Sequence, residues 1–223
     1  MNIETLQILT KNLEEQTAFY NKILGLEIIA KEEKEVSFKI GLSILKLVYS
    51  EDFTPYHYAI NIPSNQSTEA LKWLKKRVAI LKDGIHEIQD FDFWNAKAVY
   101  FYDKDNNIVE LIARKNLKIQ SNQKFSSSSL LNISEIGMPT QNIIPLYERL
   151  KNISGLNIYD GTTERFCAIG DENGLFIAIN KKLKTKWFPT EDKPFSSPFI
   201  IDFKEKGKVF KFEFKNDVLD LNK

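Results

Sequence analysis

Two histidines and one cysteine are the chain's whole stock of imidazole and thiol groups, so each can be weighed singly. His57 stands in YHYAINI (56–62), whose aromatic and β-branched residues suit a strand. An imidazole there is either a metal ligand or a polar residue at a strand end. His86, in DGIHEI, follows the Asp83-Gly84 turn signal and reads as an exposed or half-buried residue. Cys167 has no intrachain partner, which excludes a disulfide framework and a cysteine zinc cage; it reads as a small apolar side chain. No GxSxG, P-loop or Cys–His pattern offers a nucleophile. A second group is aromatic: Phe91, Phe93, Trp94, Tyr100 and Tyr102 crowd into FDFWNAKAVYFYD (91–103). Strand alternation puts Tyr100 and Tyr102 on one face and Phe101 on the other. By count they read as sheet core; as a site they would line a pocket for a flat apolar ligand, with Trp94 at its rim. Arg114, just past the final strand of that half, is the candidate for recognising an anionic group.

These residues need strands and helices to position them. IETLQILT (3–10) reads as a strand, and Asn12 with Glu15 forms a capping-box pattern for a helix that stops at Gly25. Strands are expected at 26–31, 35–40 and 43–49. The order β-α-β-β-β then recurs: strand 56–62, a helix over 67–78, and strands near 85–89, 97–103 and 107–113, with DKDNN (103–107) as a tight turn. Residues 115–131, with their serine run, read as a linker.

A third copy begins at NISEIGM (132–138), with a helix over 141–152. Asn142 to Gly155 repeats the spacing of Asn12 to Gly25, and GLNIY (155–159) matches GLEII (25–29). PFIIDF (198–203) and KVFKFEF (208–214) leave no room for a helix and read as a degenerate hairpin. The fold class expected is α+β: paired βαβββ units forming curved mixed sheets around a cleft, helices outside. The domains expected are a complete two-unit domain at 1–114, a linker at 115–131 and a degenerate copy at 132–223.

Bulk composition excludes several functions. Lys and Arg number 31 against 30 Asp and Glu, so nothing demands a nucleic-acid partner. Apolar residues make up 43% and charged residues 27%, the balance of a soluble protein. No apolar run approaches a membrane span, and the opening MNIETLQILTKNLEEQ lacks a secretion signal, so a cytoplasmic protein with no membrane partner is expected.

NLEEQTAFYNKILGL (12–26) and AVYFYDKDNNIVELI (98–112) resemble the helix and the closing strand pair of the vicinal oxygen chelate superfamily, which includes glyoxalases, bleomycin-resistance proteins and extradiol dioxygenases. Lys104 and Asn106 replace the proline and glycine usual in the strand-turn-strand motif. KWFPT (186–190) also resembles two-domain members; Trp187 and Phe188 there would anchor the loop between the domains. The resemblance implies metal ligands on the first and last strands of units. It puts His57 and Glu110 on two of those positions, with Thr5 or Gln7 or water as the third ligand. Lys46 falls where unit one would place its last-strand ligand, and it could pair with Glu110 instead. Glu135, Ile177 and Pro198 take the corresponding places in the second half, which is expected to be structurally retained and chemically silent.

Three functions follow from the resemblance. The first is a metal-dependent dioxygenase or lyase acting on a small oxygenated or aromatic substrate, with Fe²⁺, Mn²⁺, Ni²⁺ or Zn²⁺ at His57 and Glu110, and Trp94, Tyr100, Tyr102 and Arg114 contacting substrate. The second is a metal-free binding protein for an aromatic or drug-like small molecule. The third is a structural role. Proteins of this kind commonly form homodimers.

Overall fold

The computed structural model describes residues 1–221. Unit one comprises β1 (Asn2–Thr10), α1 (Leu13–Ala18), β2 (Ile28–Lys31), β3 (Glu35–Ile40) and β4 (Ser43–Tyr49). A π-helical turn, Phe19–Ile23, continues α1. Unit two comprises β5 (His57–Ile62), α2 (Ser67–Leu74), β6 (Ile80–Leu81), β7 (Gln89–Phe91), β8 (Ala96–Tyr102) and β9 (Ile108–Arg114). Unit three comprises β10 (Asn132–Thr140), α3 (Ile143–Ser154), β11 (Ile158–Thr162), β12 (Phe166–Asp171) and β13 (Gly174–Asn180). The last segment is β14 (Phe199–Glu205), β15 (Lys208–Lys215) and β16 (Val218–Leu221).

The units pair in a crossed manner. One sheet runs β16-β15-β14-β1-β4-β3-β2, joining unit one to the C-terminal strands. The other runs β11-β12-β13-β10-β5-β9-β8-β6, with β7 also on β8, joining unit two to unit three. Each sheet therefore takes strands from both sides of residues 115–131. Those residues are pinned to the body: Phe125 packs 5.5 Å from Trp73, and Gln66 Nε2 donates to the Gln123 carbonyl at 2.7 Å.

Burial explains the layering. The larger core takes one face of each sheet together with the helices, through residues such as Leu6, Phe38, Tyr58, Leu111 and Leu150. A smaller core lies on the opposite face of the second sheet, around Ala59, Tyr100, Ile112 and Ile177. Strands β5 and β9 are buried along their whole length because apolar matter covers both faces.

Local chemistry differs from expectation in three places. Asn12 does not cap α1; its amide donates to Asp105 at 2.6 Å, tying the end of β1 to the β8–β9 turn. Asn142 does cap α3, accepting from the Ile144 N–H at 3.2 Å. Helix α2 ends at Leu74 rather than continuing to 78, where Arg77 turns back to satisfy the Trp73 carbonyl at 2.9 Å. The strand expected at 85–89 is replaced by β6 and β7, with His86 exposed in the bridged turn between them.

In the 103–107 turn, Asp103 accepts the Asp105 and Asn107 amides at 3.0 and 2.9 Å and the Tyr20 hydroxyl at 2.6 Å. Asn106 adopts φ +59°, a left-handed conformation that asparagine tolerates better than most residues. Its replacement of the usual glycine is thus compatible with the turn.

Candidate functional site

One row of residues crosses five strands of the second sheet. Tyr100 on β8 faces Glu110 on β9, Glu110 faces Ala59 on β5, Ala59 faces Glu135 on β10, and Glu135 faces Leu175 on β13. Partners in a row share a face, so both glutamates point to the concave side. His57, two residues before Ala59, shares that face.

His57 Nε2 lies 3.6 Å from a Glu110 oxygen and 4.0 Å from a Glu135 oxygen. One donor atom from each of the three residues falls within 4.8 Å of the others, and all three residues are buried. His57 Nδ1 is 3.2 Å from the Ile108 carbonyl. A carbonyl only accepts, so Nδ1 carries the proton and Nε2 presents its lone pair to the carboxylates. Orientation of a ligating imidazole by a carbonyl on its other nitrogen is the usual outer support of a metal site.

Electrostatics favour a cation here. Burial pushes His57 down to about 4, keeping the ring neutral at ordinary pH; the Ile108 bond opposes this and the Lys184 charge adds to it. Burial and then the Glu135 charge push Glu110 well above the usual carboxylate range, with Arg114 acting the other way. Burial also raises Glu135, again opposed by Arg114. Both carboxylates thus hold a proton more readily than an exposed glutamate does, and a bound cation would oppose this. A neutral imidazole with two carboxylates is a donor set for a divalent ion. Ligand atoms about 2.1 Å from an ion sit about 3 to 3.4 Å apart, so the His57–Glu110 and His57–Glu135 separations of 3.6 and 4.0 Å would have to close by about 0.2 to 1 Å.

Small residues hollow the concave face. Ala59, Ala98 and Ala168 are fully buried there. The cavity in front of the three donors measures about 510 Å³, and its walls include Phe91, Trp94, Tyr100, Phe166, Trp187 and Phe188. Trp187 stands 5.0 Å from the His57 ring, centroid to centroid. Gly137 gives it room: a Cβ there would lie 2.9 Å from the indole.

Several expected residues fall elsewhere. Thr5 and Gln7 belong to the first sheet, where Thr5 faces Asp202 and Gln7 faces Lys46 and Ile200. Neither joins His57, because units one and two do not share a sheet. Lys46 pairs with Glu35 at 2.7 Å, not with Glu110. Arg114 is not a free anion receptor: its side chain is buried, bonded to Glu135 and to Asn61 Oδ1 at 3.3 Å, and lies 5.2 Å from the Trp94 ring. Tyr102 turns from the donors and donates to Asp192 beside a separate pocket. Trp94 and Tyr100 do line the cavity, Trp94 donating to Asp160 at 2.6 Å. Glu135, from the half expected to be chemically silent, joins His57 and Glu110 in the donor cluster. Counting from the repeat had already put it at a first-strand ligand position; the missing information was that unit three pairs with unit two. Ile177 leaves the equivalent last-strand position apolar, so the donors number three.

No family model matches the chain. The metallothiol transferase FosB of Staphylococcus haemolyticus is 27% identical over 107 residues, spanning 45% of this chain and 74% of that protein. A candidate dioxygenase from Bacillus subtilis superposes with a TM-score of 0.59 at 16% identity, over 81% of this chain and 64% of that one. A variant of the fosfomycin resistance protein FosX from Listeria monocytogenes, solved with Mn(II), gives a TM-score of 0.40 at 24% identity, over 51% of this chain and 90% of that one. The chain thus spans under two thirds of the Bacillus protein it matches in structure. No helix among the described residues is long and apolar enough to cross a membrane.

Proposed function

We propose, from the premise that this chain has the fold of the vicinal oxygen chelate superfamily, that it is a divalent-metal-dependent enzyme acting on a small oxygenated molecule in the aromatic cavity. His57, Glu110 and Glu135 would hold the ion. The observation that carries this reading is the convergence of an Nε2 lone pair and two carboxylates at the floor of that cavity. The likeness to a metallothiol transferase, a metal-dependent protein by its name, supports it.

The chain's own residues divide the work. Ile108 fixes the His57 tautomer through its carbonyl. Arg114 offsets one of the two ligand charges, so the set is less anionic than two free carboxylates would make it. Ile177 supplies no donor on its side, leaving coordination positions for substrate oxygens. The aromatic walls exclude water and hold the apolar part of the substrate. When bound, the ion would supply Lewis acidity to those oxygens.

Elemental analysis of protein purified without chelating resin tests the reading. One equivalent of Fe²⁺, Mn²⁺, Ni²⁺ or Zn²⁺, lost in His57→Ala and in Glu135→Gln, is expected. Failure of the wild type to take up any of the four would leave a metal-free binding protein for an aromatic or drug-like molecule.

A further inference from the structure

The cavity contains one cation that the metal reading does not use. Among the described residues, Lys184 is the only lysine or arginine lining it. The turn after β13 sets its position, with the Lys184 N–H donating to the Asn180 carbonyl at 2.8 Å. Neighbouring lysines are engaged: Lys181 pairs with Asp217 and Lys186 with Glu191. Lys184 is half-buried, and among the described residues its ammonium has no hydrogen-bond or ion-pair partner.

The acids of the same cavity do not serve it. Asp90 pairs with Lys97 at 2.6 Å, and Asp92 adjoins Asp90. Asp160 accepts from Trp94 at 2.6 Å and from the Gly161 amide at 2.8 Å. Glu110 and Glu135 face His57. Burial, and then the positive charge of Arg165, lower the proton affinity of Lys184. A half-buried ammonium without a counter-ion is a cost in the free protein that an anion would relieve.

We propose that Lys184 is the anion-recognising group of this cavity, with Arg165 reinforcing it, and that the ligand is a small, flat or apolar molecule bearing one carboxylate or phosphonate. The aromatic walls take its body and Lys184 its charge. This takes from the metal reading only that the cavity is the place of the substrate. It assigns to Lys184 the role that sequence alone suggested for Arg114.

The test uses chelator-dialysed protein, so that no metal can bind the anion. Trp94 and Trp187 report occupancy through fluorescence. Benzoate and phenylphosphonate are titrated against neutral benzamide, in wild type, Lys184→Gln, Lys184→Arg and Arg165→Gln. Saturable binding of at least one anion, about tenfold tighter than benzamide, is expected. Lys184→Gln should remove that preference and leave benzamide unchanged, while Lys184→Arg retains it; Arg165→Gln should lose a smaller part. Equal binding of anions and benzamide, an unchanged preference in Lys184→Gln, or no saturable anion binding in wild type overturns the proposal. Metal uptake is scored separately in the same proteins. If the metal reading alone fails, uptake is absent while the anion preference persists.

Discussion

Glu110 and Glu135 face each other across a single alanine, Ala59, with Glu110 alone on the β9 side and Glu135 on the β10 side. Burial, and then the Glu135 charge, raise the proton affinity of Glu110, while burial raises that of Glu135 against the pull of Arg114. The two carboxylates are not equivalent, because Arg114 is bonded to Glu135 and not to Glu110.

That asymmetry yields opposite outcomes for two like substitutions in metal-free protein. Glu135→Gln strands the buried Arg114 charge and should cost about 3–5 kcal/mol of stability. Glu110→Gln removes an acid that has no bonded cation, with an amide oxygen still there to accept the Tyr100 hydroxyl, and should leave stability unchanged or raised. Urea denaturation in EDTA measures both. Equal losses would show that Arg114 does not discriminate between them.

Ala59 keeps the space between the donors open. Ala59→Val should block metal uptake while costing only about 1–3 kcal/mol through overpacking. Elemental analysis alongside thermal unfolding separates the two effects. Full metal occupancy in the folded variant would count against the donor geometry.

Acidity should affect the metal-free protein in a defined window. His57 is held down to about 4 in the fold, against 6.5 unfolded. The unfolded chain therefore takes up this proton first, and the stability His57 contributes is present above pH 6.5 and lost as pH falls toward 4. Glu110 is raised, so its contribution runs the other way, present at low pH and lost as pH climbs past the usual carboxylate range. A carboxylate ligand binds metal deprotonated and Glu110 is raised, so affinity should rise with pH and calorimetry in buffers of different ionisation enthalpy should show proton release. Uptake with no proton release would argue that both carboxylates are already ionised.

Gly137→Ala should disturb the cover over His57. The new methyl would meet the Trp187 indole at 2.9 Å and the His57 carbonyl at 3.2 Å. The indole must move, so a shift in tryptophan emission and a loss of about 1–3 kcal/mol are expected. An unchanged spectrum would place the indole's support elsewhere.

Much of this arrangement was legible in the residues. The repeat spacing from Asn12 to Gly25 and from Asn142 to Gly155 located two helices that both end on glycines of positive φ, +74° and +75°. His57 and Glu110 could be read as partners because β5 and β9 belong to one unit and pair in parallel. Glu135 could not, since its neighbour is chosen by the antiparallel seam between β5 and β10, and no local periodicity encodes which units meet. Thr5 and Gln7 went astray for the same reason. Arg114 was partly readable: it follows Glu110 by four residues on one strand, hence on the same face, which points it inward rather than to solvent.

The crossed pairing of units has a consequence for how the molecule is made. An amino-terminal fragment ending before β10 would carry two of the three donors, and a carboxy-terminal fragment only one. Neither is a site. A cation held by all three would act as a clasp across the seam, adding to the backbone ladder and the Arg114–Glu135 bond that already join the two sides. Occupancy of the centre would then certify that synthesis has passed β10 and that both halves have found each other, so that catalytic competence and completed assembly are read from the same three atoms.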